Sequence, residues 1–346
     1  MKKYFAFLPA ALLLLSACSN DFDVAAPWKD IPVVYGIISP LDTAAYIRVE
    51  KAFLDPNTSA FTLAQIPDSI YYDDNQINVF LERSDNGQRV QMQRVDGNLE
   101  GYVRDTGIFA PDPNWLYKYK SPAGQPFLTG LKTYKVVVER GDQLPAVTGE
   151  TTLPGTFKIT TPSANGSGQY IINFTPNGDP AVEWRTDGAG VLFEVKLAIR
   201  FRETGTDGSF LGRDTLLWTA VQSVRRTDNT SGQPNEYRGK AILSTTAFYQ
   251  FLANNIAPAS SRLRYFEGCN IILTGGGAEI AELQEVLSAN SGISGAEALT
   301  TYTNMSEGFG IFTGRNTAVL PNVVIGPATV TSMNEDPLTK PLNFRN

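Results

Sequence analysis

Hydrophobic and polar residues alternate along most of the chain after residue 31. Tyr46, Arg48 and Glu50, for example, alternate with the apolar Ile47 and Val49, a period of two that is typical of half-buried strands. Such patterns predict short strands in the first half at Pro32–Ile38, Ala45–Lys51, Gln76–Glu82, Arg89–Arg94, Leu99–Val103, Thr133–Arg140 and Ala146–Thr152. Strands of this length and spacing favour an immunoglobulin-like β-sandwich.

Asn86-Gly87 and Asp96-Gly97 each lie beside a predicted strand, and both dipeptides favour hairpin turns. Two segments, 55–74 and 107–130, exceed the roughly 12 to 15 residues that usually connect strands without a function. The second segment carries our candidate contacts for a ligand or partner: Phe109, Trp115, Tyr117 and Tyr119. Aromatic side chains there can stack on a sugar ring or insert into a partner, or they can cover an open end of the sandwich. The sequence leaves both interpretations open.

Gly155, Pro162 and small polar residues predict a linker at Pro154–Asn165. We therefore expect a β-sandwich domain at 31–155 and a second β-rich domain with two short helices at 156–346, a mainly β fold class. Further strands are predicted at Tyr170–Thr175, Ala181–Thr186, Val191–Arg202, Thr215–Arg226 and Leu263–Thr274. Helices are predicted at Thr245–Asn255, capped by Thr245 or Ser244, and at Ala278–Ala289.

The first residues predict a secretory signal peptide. Lys2 and Lys3 precede an apolar run at 4–15, which is shorter than the roughly 20 residues of a membrane-spanning helix. The ending Leu15-Ser16-Ala17-Cys18 resembles a bacterial lipobox. We expect a lipoprotein signal peptide at 1–17, acylation of Cys18 and a lipidated tether at 18–30. The alternative is an ordinary secretory signal with a chance cysteine.

The residues after Cys18 indicate in which membrane of a Gram-negative cell the lipoprotein is expected to reside. No Asp directly follows Cys18, which argues against retention in the inner membrane. Residues 19–23 (Ser-Asn-Asp-Phe-Asp) resemble the acidic export signal of surface lipoproteins in Bacteroidota. We therefore expect a lipid-anchored protein of the outer membrane, displayed at the cell surface.

The chain contains no histidine, which excludes Ser-His-Asp and Cys-His catalysis and histidine-based zinc sites. With Cys18 acylated, Cys269 is the remaining thiol, and we predict that it packs in a core. The net charge is −6, so nucleic-acid binding is not expected. We predict no catalytic residue, no metal and no cofactor, and we do not expect an enzyme.

Three segments carry a resemblance to a known family: Val33–Ile38, the glycine-rich step Ile271–Gly277, and the late stretch Thr303–Phe312, which reads Thr-Asn-Met-Ser-Glu-Gly-Phe-Gly-Ile-Phe. They resemble, in this order, segments of a Bacteroidota family of outer-membrane lipoproteins of unknown function. Genes of that family often lie beside TonB-dependent receptors, which implies a β-barrel receptor as partner. The resemblance supplies no catalytic residues.

Two glycine motifs have simple structural interpretations. Gly308 and Gly310 flank Phe309 just before Ile311 and Phe312, which predicts a final strand with a bulge that packs its Phe residues into the core. The glycines at 275–277 precede a predicted helix but lack the GK[ST] of a phosphate-binding loop. A flexible turn between strand and helix is the better interpretation.

Three tripeptides resemble the O-glycosylation signal of Bacteroidota, which makes Thr43, Ser69 and Thr215 candidate sites. Our leading hypothesis is an accessory or ligand-capturing subunit of a TonB-dependent transport complex. The alternative is a stand-alone module that binds glycans or mediates adhesion, with a glycan or peptide as ligand. A third class is a glycoside hydrolase with acidic residues only, such as Asp73 with Asp74 or Glu183 with Asp187.

Overall fold

The structure is a computed structural model that describes residues 30–52, 58–141, 144–227, 236–290 and 301–346. The predicted signal peptide (1–17), Cys18 and the predicted tether up to residue 29 lie outside these ranges. Within them, no helix combines the length and apolar character needed to cross a membrane.

Strands dominate the described part of the chain, which confirms the prediction of a mainly β fold. The strands are β1 (Pro32–Ile38), β2 (Ala44–Lys51), β3 (Ile77–Arg83), β4 (Gln88–Gln91), β5 (Gln93–Asp96), β6 (Trp115–Lys120), β7 (Thr133–Arg140), β8 (Val147–Thr152), β9 (Lys158–Thr161), β10 (Ile171–Ile172), β11 (Ala181–Thr186), β12 (Leu192–Gly205), β13 (Phe210–Arg225), β14 (Tyr237–Ile242), β15 (Arg262–Gly276) and β16 (Phe309–Ile325). The helices are α1 (Ala60–Ala64), α2 (Pro67–Ile70), α3 (Thr245–Asn255), α4 (Ala278–Asn290) and α5 (Pro327–Glu335), with a 3₁₀ turn at Lys340–Leu342.

A long sheet with the strand order β13-β12-β15-β16-β1-β2-β6-β5 runs through the molecule. Side chains from β1, β2 and β6 share a hydrophobic core with those of the sheet β4-β3-β7-β8, so the first half is a β-sandwich, as predicted. Side chains from β12, β13 and β15 share another core with the sheet β14-β11-β9 and with helices α3 and α5. Cys269 is fully buried in that core, as predicted.

Strand β16 belongs to both cores, since it buries Phe312 in the first and Ile325 in the second. The predicted linker packs against it. The Asn316 side chain donates hydrogen bonds to the carbonyls of Pro154 and Gly155, at 3.2 and 2.7 Å, and both of these residues are buried. The start of the predicted linker is therefore packed against β16, the segment continues into β9, and the division at residue 155 stays a prediction.

The late glycine motif places β16 beside β1 in parallel, with Gly310 opposite Val34. Gly308 and Gly310 have φ values of +82° and +120°, and a Cβ atom on Gly310 would lie 1.8 Å from the Val34 carbonyl oxygen. Glycine is required there because a side chain would collide with the neighbouring strand. Phe312 packs in the core as predicted, whereas Phe309 is exposed.

Several boundaries differ from the predictions. Leu99–Val103 is not a strand, because the Tyr102 amide donates to the Gly97 carbonyl at 2.8 Å and closes a turn. Asp96-Gly97 therefore opens a long connection to β6 rather than a tight hairpin. The segment 107–130 is not one loop, because it contains β6. The described part of 55–74 contains α1 and α2. The strand predicted at Tyr170–Thr175 is shorter in the structure, where it is β10.

Other local predictions are confirmed. The turn at Asn86-Gly87 joins β3 to β4, with Gly87 at φ +67°. Helix α3 has the predicted bounds, and its cap is Ser244, whose hydroxyl accepts a hydrogen bond from the Ala247 amide at 3.2 Å. Helix α5 has no counterpart among the predicted elements.

Candidate functional site

A polar groove opens on the edge of the sandwich where the chain leaves one sheet for the other. Strand β4 pairs with β3 and strand β5 pairs with β6, and the residue between them is Met92. Met92 packs in the core, and its amide donates to the Val79 carbonyl at 2.9 Å. The two edge strands therefore diverge and leave a cavity of about 410 Å³, lined by Asp74, Ile77, Asn78, Val79, Gln91, Met92, Gln93, Arg94 and Tyr117.

Tyr117 forms the aromatic wall of this groove. Its neighbours across the strands are Ile47 on β2 and Arg94 on β5, so its ring points into the sandwich and is only 6% exposed. Burial raises the pKa of Tyr117, Arg94 opposes that rise and Asp74 adds to it. Among the described residues, none forms a hydrogen bond with its hydroxyl, and Tyr117 lines the groove.

Arg94 lies between the groove and Trp115. Its guanidinium forms an ion pair with Asp74 and lies 4.4 Å from the centre of the Trp115 ring. A cation over an aromatic face is attracted by the electron density of the ring. The contact also covers that face, so Trp115 supports the groove through Arg94 instead of offering a bare platform to a sugar.

Carboxamide side chains form the rest of the polar wall. The Gln91 side chain donates to the Asn78 Oδ1 atom at 3.1 Å, and Gln93 is exposed. Amide, guanidinium, carboxylate and phenol groups together provide both hydrogen-bond donors and acceptors. Such a set suits a small ligand rich in hydroxyl or amide groups, and the volume lies in the range of ordinary ligand pockets.

The structure separates the four aromatic residues selected from the sequence. Tyr117 lines the groove, and Trp115 contacts the Arg94 guanidinium behind it. Tyr119 packs edge-on against Phe127, with ring centres 5.4 Å apart. Phe109 lies in the connection before β6, 5.0 Å from the Arg104 guanidinium. Along β6, Trp115, Tyr117 and Tyr119 alternate with Leu116 and Lys118, so the three aromatic side chains lie on one face of the strand.

Of the polar lining, sequence reasoning named Asp74 alone, as half of an acidic pair with Asp73, and it missed Asn78, Gln91, Gln93 and Arg94. The available signal was the pattern Gln91-Met92-Gln93-Arg94, in which a single apolar residue interrupts a polar run. From the sequence, this run is predicted to belong to a single strand, Arg89–Arg94. In the structure, that run is two short strands in different sheets.

The other candidates are distributed over the surface. Thr43 and Thr215 are exposed, whereas Ser69 is half-buried within α2. The acidic pairs have local partners: Glu183 pairs with Lys240 at 3.0 Å, and the Asp187 carboxylate accepts hydrogen bonds from the amides of Gly155, Ala189 and Gly190. In the described ranges, no three His, Cys, Asp or Glu residues are grouped so that they could hold a metal ion.

The glycine-rich segment Ile271–Gly277 lies against a carboxylate of the same chain, that of Glu279. Glu279 Oε2 accepts hydrogen bonds from Thr151 and Thr313, at 3.0 and 2.9 Å. A Cβ atom on Gly277 would lie 2.6 Å from that same oxygen. The space that a phosphate would need is therefore occupied by a negative side chain, which agrees with a structural turn.

Comparisons with known proteins add little. No protein-family model matches this chain, and no curated protein matches it. Among solved structures, the chain is similar to the FN1-FN3 domains of chicken CNTN1, with 8% sequence identity over 71% of this chain and 63% of that chain. The TM-score is 0.16, which is too low to support any inference about this protein.

Proposed function

We propose that this protein is an outer-membrane lipoprotein, anchored through Cys18 and displayed at the cell surface, that serves as an accessory or ligand-capturing subunit of a TonB-dependent transport complex. The observation that carries the proposal is the sequence Leu15-Ser16-Ala17-Cys18 after an apolar run. Recognition rather than catalysis fits a chain that lacks histidine.

The beginning of the described chain is held in a way that suits a tethered protein. The Asp30 carboxylate accepts a hydrogen bond from the Tyr72 hydroxyl at 2.6 Å and pairs with Arg140 at 3.2 Å. Arg140 is buried and also pairs with Glu307 at 2.8 Å. A buried, hydrogen-bonded ion pair of this kind fixes Asp30 against the sandwich.

Purification in mild detergent, followed by mass spectrometry, tests the partner. We expect an outer-membrane β-barrel receptor to copurify with the wild-type protein, and we expect the Cys18→Ala form to be released from membranes. Recovery of the wild-type protein alone would contradict the transport proposal.

The groove favours a second candidate function, a stand-alone glycan-binding module. Its polar wall and the Tyr117 hydroxyl suit the hydroxyl groups of a sugar. A glycan array should then show binding that Tyr117→Phe weakens, while Tyr119→Phe, a matched change away from the groove, leaves it intact. Equal binding by the two variants, or no binding by the wild type, would remove this candidate.

A further inference from the structure

Exposed apolar side chains cluster at one end of the sandwich, on α1, just before α2 and in the connection before β6. We call them the tether-end patch, which consists of Phe61 (69% exposed), Ile66 (43%), Ile108 (55%) and Phe109 (39%). The two segments are joined, since the Ala110 amide donates to the Ala64 carbonyl at 2.8 Å and the Gln65 side chain hydrogen-bonds the Ile108 carbonyl. The patch is therefore one surface and not a set of scattered side chains.

This patch lies at the end of the sandwich where the chain enters it. Pro32, at the start of β1, pairs with Lys51, at the end of β2, and α1 and α2 follow β2 along the chain. Tyr72, which binds Asp30, is adjacent to Tyr71. The Tyr71 hydroxyl accepts a hydrogen bond from Arg104 at 2.6 Å, and the Arg104 guanidinium lies beside the Phe109 ring. A continuous chain of contacts thus joins Asp30 to the patch.

We propose that the tether-end patch rests on the lipid surface to which the protein is anchored. This inference depends on the proposed acylation of Cys18. Eleven residues, 19–29, separate that cysteine from Asp30, and the twelve steps from Cys18 to Asp30 span at most roughly 40 Å. A tether of this length keeps the end that carries Asp30 within reach of the bilayer. Exposed Phe and Ile side chains bind at the boundary between headgroups and acyl chains because contact there removes apolar surface from water.

The charges around the tether-end patch indicate which lipid headgroups it contacts. Asp68, Asp105 and Asp112 are exposed at the same end, whereas Arg104 is engaged with Glu50 at 3.1 Å. Carboxylates near a negatively charged surface are repelled within about one Debye length. The patch therefore prefers neutral headgroups, and added anionic lipid weakens the contact.

The experiment attaches the chain to lipid by chemistry, so it does not require natural acylation. The full chain from Cys18 onward is coupled through that thiol to a maleimide phospholipid in protein-free phosphatidylcholine vesicles, and the fully buried Cys269 does not react. Hydrogen exchange measured by mass spectrometry then compares attached and free protein. We expect about threefold slower exchange in peptides covering 60–66 and 104–110, and no change at the 206–209 turn between β12 and β13.

A double variant tests whether the apolar side chains cause the protection. Phe61→Ser with Ile108→Ser should abolish it, and the matched pair Leu217→Ser with Val319→Ser, also exposed, should retain it. Unchanged thermal unfolding of both variants excludes misfolding. Adding phosphatidylglycerol to the vesicles should reduce the protection.

The outcomes separate this inference from the proposed function. No protection on protein-free vesicles overturns the lipid contact, even when cellular Cys18 carries acyl chains. Protection that occurs only in native membranes also overturns it and assigns the patch to a protein partner. Absence of acyl chains on cellular Cys18 contradicts the proposed function, whatever the vesicle result.

Discussion

Strand β6 and the connection before it (97–114) are both rich in apolar and aromatic residues, yet they place them in opposite environments. In β6, Tyr117 faces the second sheet and is buried. In the connection, Leu99 is 87% and Val103 74% exposed. The segment lies on the outer face of β2, where the Tyr102 ring centre is 4.6 Å from that of Tyr46.

This difference shows that apolar composition alone does not determine burial. In β6, pairing with β2 and β5 fixes which side chains point inward. In the connection, side-chain hydrogen bonds hold the backbone while the apolar groups stay in solvent. The buried set stabilises the fold, and the exposed set is available for binding.

The largest predicted effect is on stability, at Tyr117. Tyr117→Ala should lower the free energy of unfolding by about 3 kcal/mol, because it leaves a cavity between the two sheets. Leu99→Ala, the matched change in the connection, should alter it by less than about 0.5 kcal/mol. Urea denaturation of both variants checks this, and similar losses would show that the contrast between the two regions is wrong.

A smaller effect is expected at Arg94. Arg94→Ala removes the ion pair with Asp74 and the contact with Trp115, and it should cost about 1 kcal/mol or less because Asp74 is solvent-exposed. Acrylamide should then quench tryptophan fluorescence more strongly. Arg89→Ala, which removes a similar contact with Phe80, should leave quenching unchanged. Equal quenching by the two variants would mean that Arg94 does not cover Trp115.

The smallest effect is a loosening of the connection in acid. Hydrogen bonds from Lys118 and Tyr46 lower the pKa of Glu100, and they tie the connection to β6 and β2. The pKa of Glu100 is lower in the folded protein than in the unfolded chain. These hydrogen bonds are therefore fully formed at neutral pH and are lost as the pH falls through the lowered pKa. The protection of residues 98–103 against hydrogen exchange, corrected for the intrinsic pH dependence of amide exchange, should therefore fall in acid.

Glu100→Gln provides the control for this acid effect. Its neutral side chain should give lower protection of residues 98–103 already at neutral pH, and that protection should depend less on pH. An unchanged acid response in the variant would show that another group is responsible.

The sequence predicts the elements with strong local patterns and misses those that depend on distant pairing. Pro32–Ile38, Ala181–Thr186 and Thr245–Asn255 have the predicted bounds because alternation or a helix cap defines them locally. The parallel pairing of β16 with β1 joins residues 276 positions apart in the chain, as in Val33 opposite Phe309 (309 − 33), and such a pairing leaves no local signal.

The groove was only partly predictable for the same reason. Trp115 and Tyr117 were selected for their chemistry, but their inward orientation follows from the pairing of β6. The polar lining comes from strands β3, β4 and β5 and from the residues before β3, and the change of sheet at Met92 brings them together.

The central claim is that Cys18 is acylated and holds this β-sandwich protein at a membrane. Growth with an alkyne fatty acid, followed by capture of the protein and separation of membranes, tests it most directly. The account predicts a labelled wild-type protein in the membrane fraction and an unlabelled, released Cys18→Ala form. An unlabelled wild type, or a Cys18→Ala form that stays with the membranes, would contradict it.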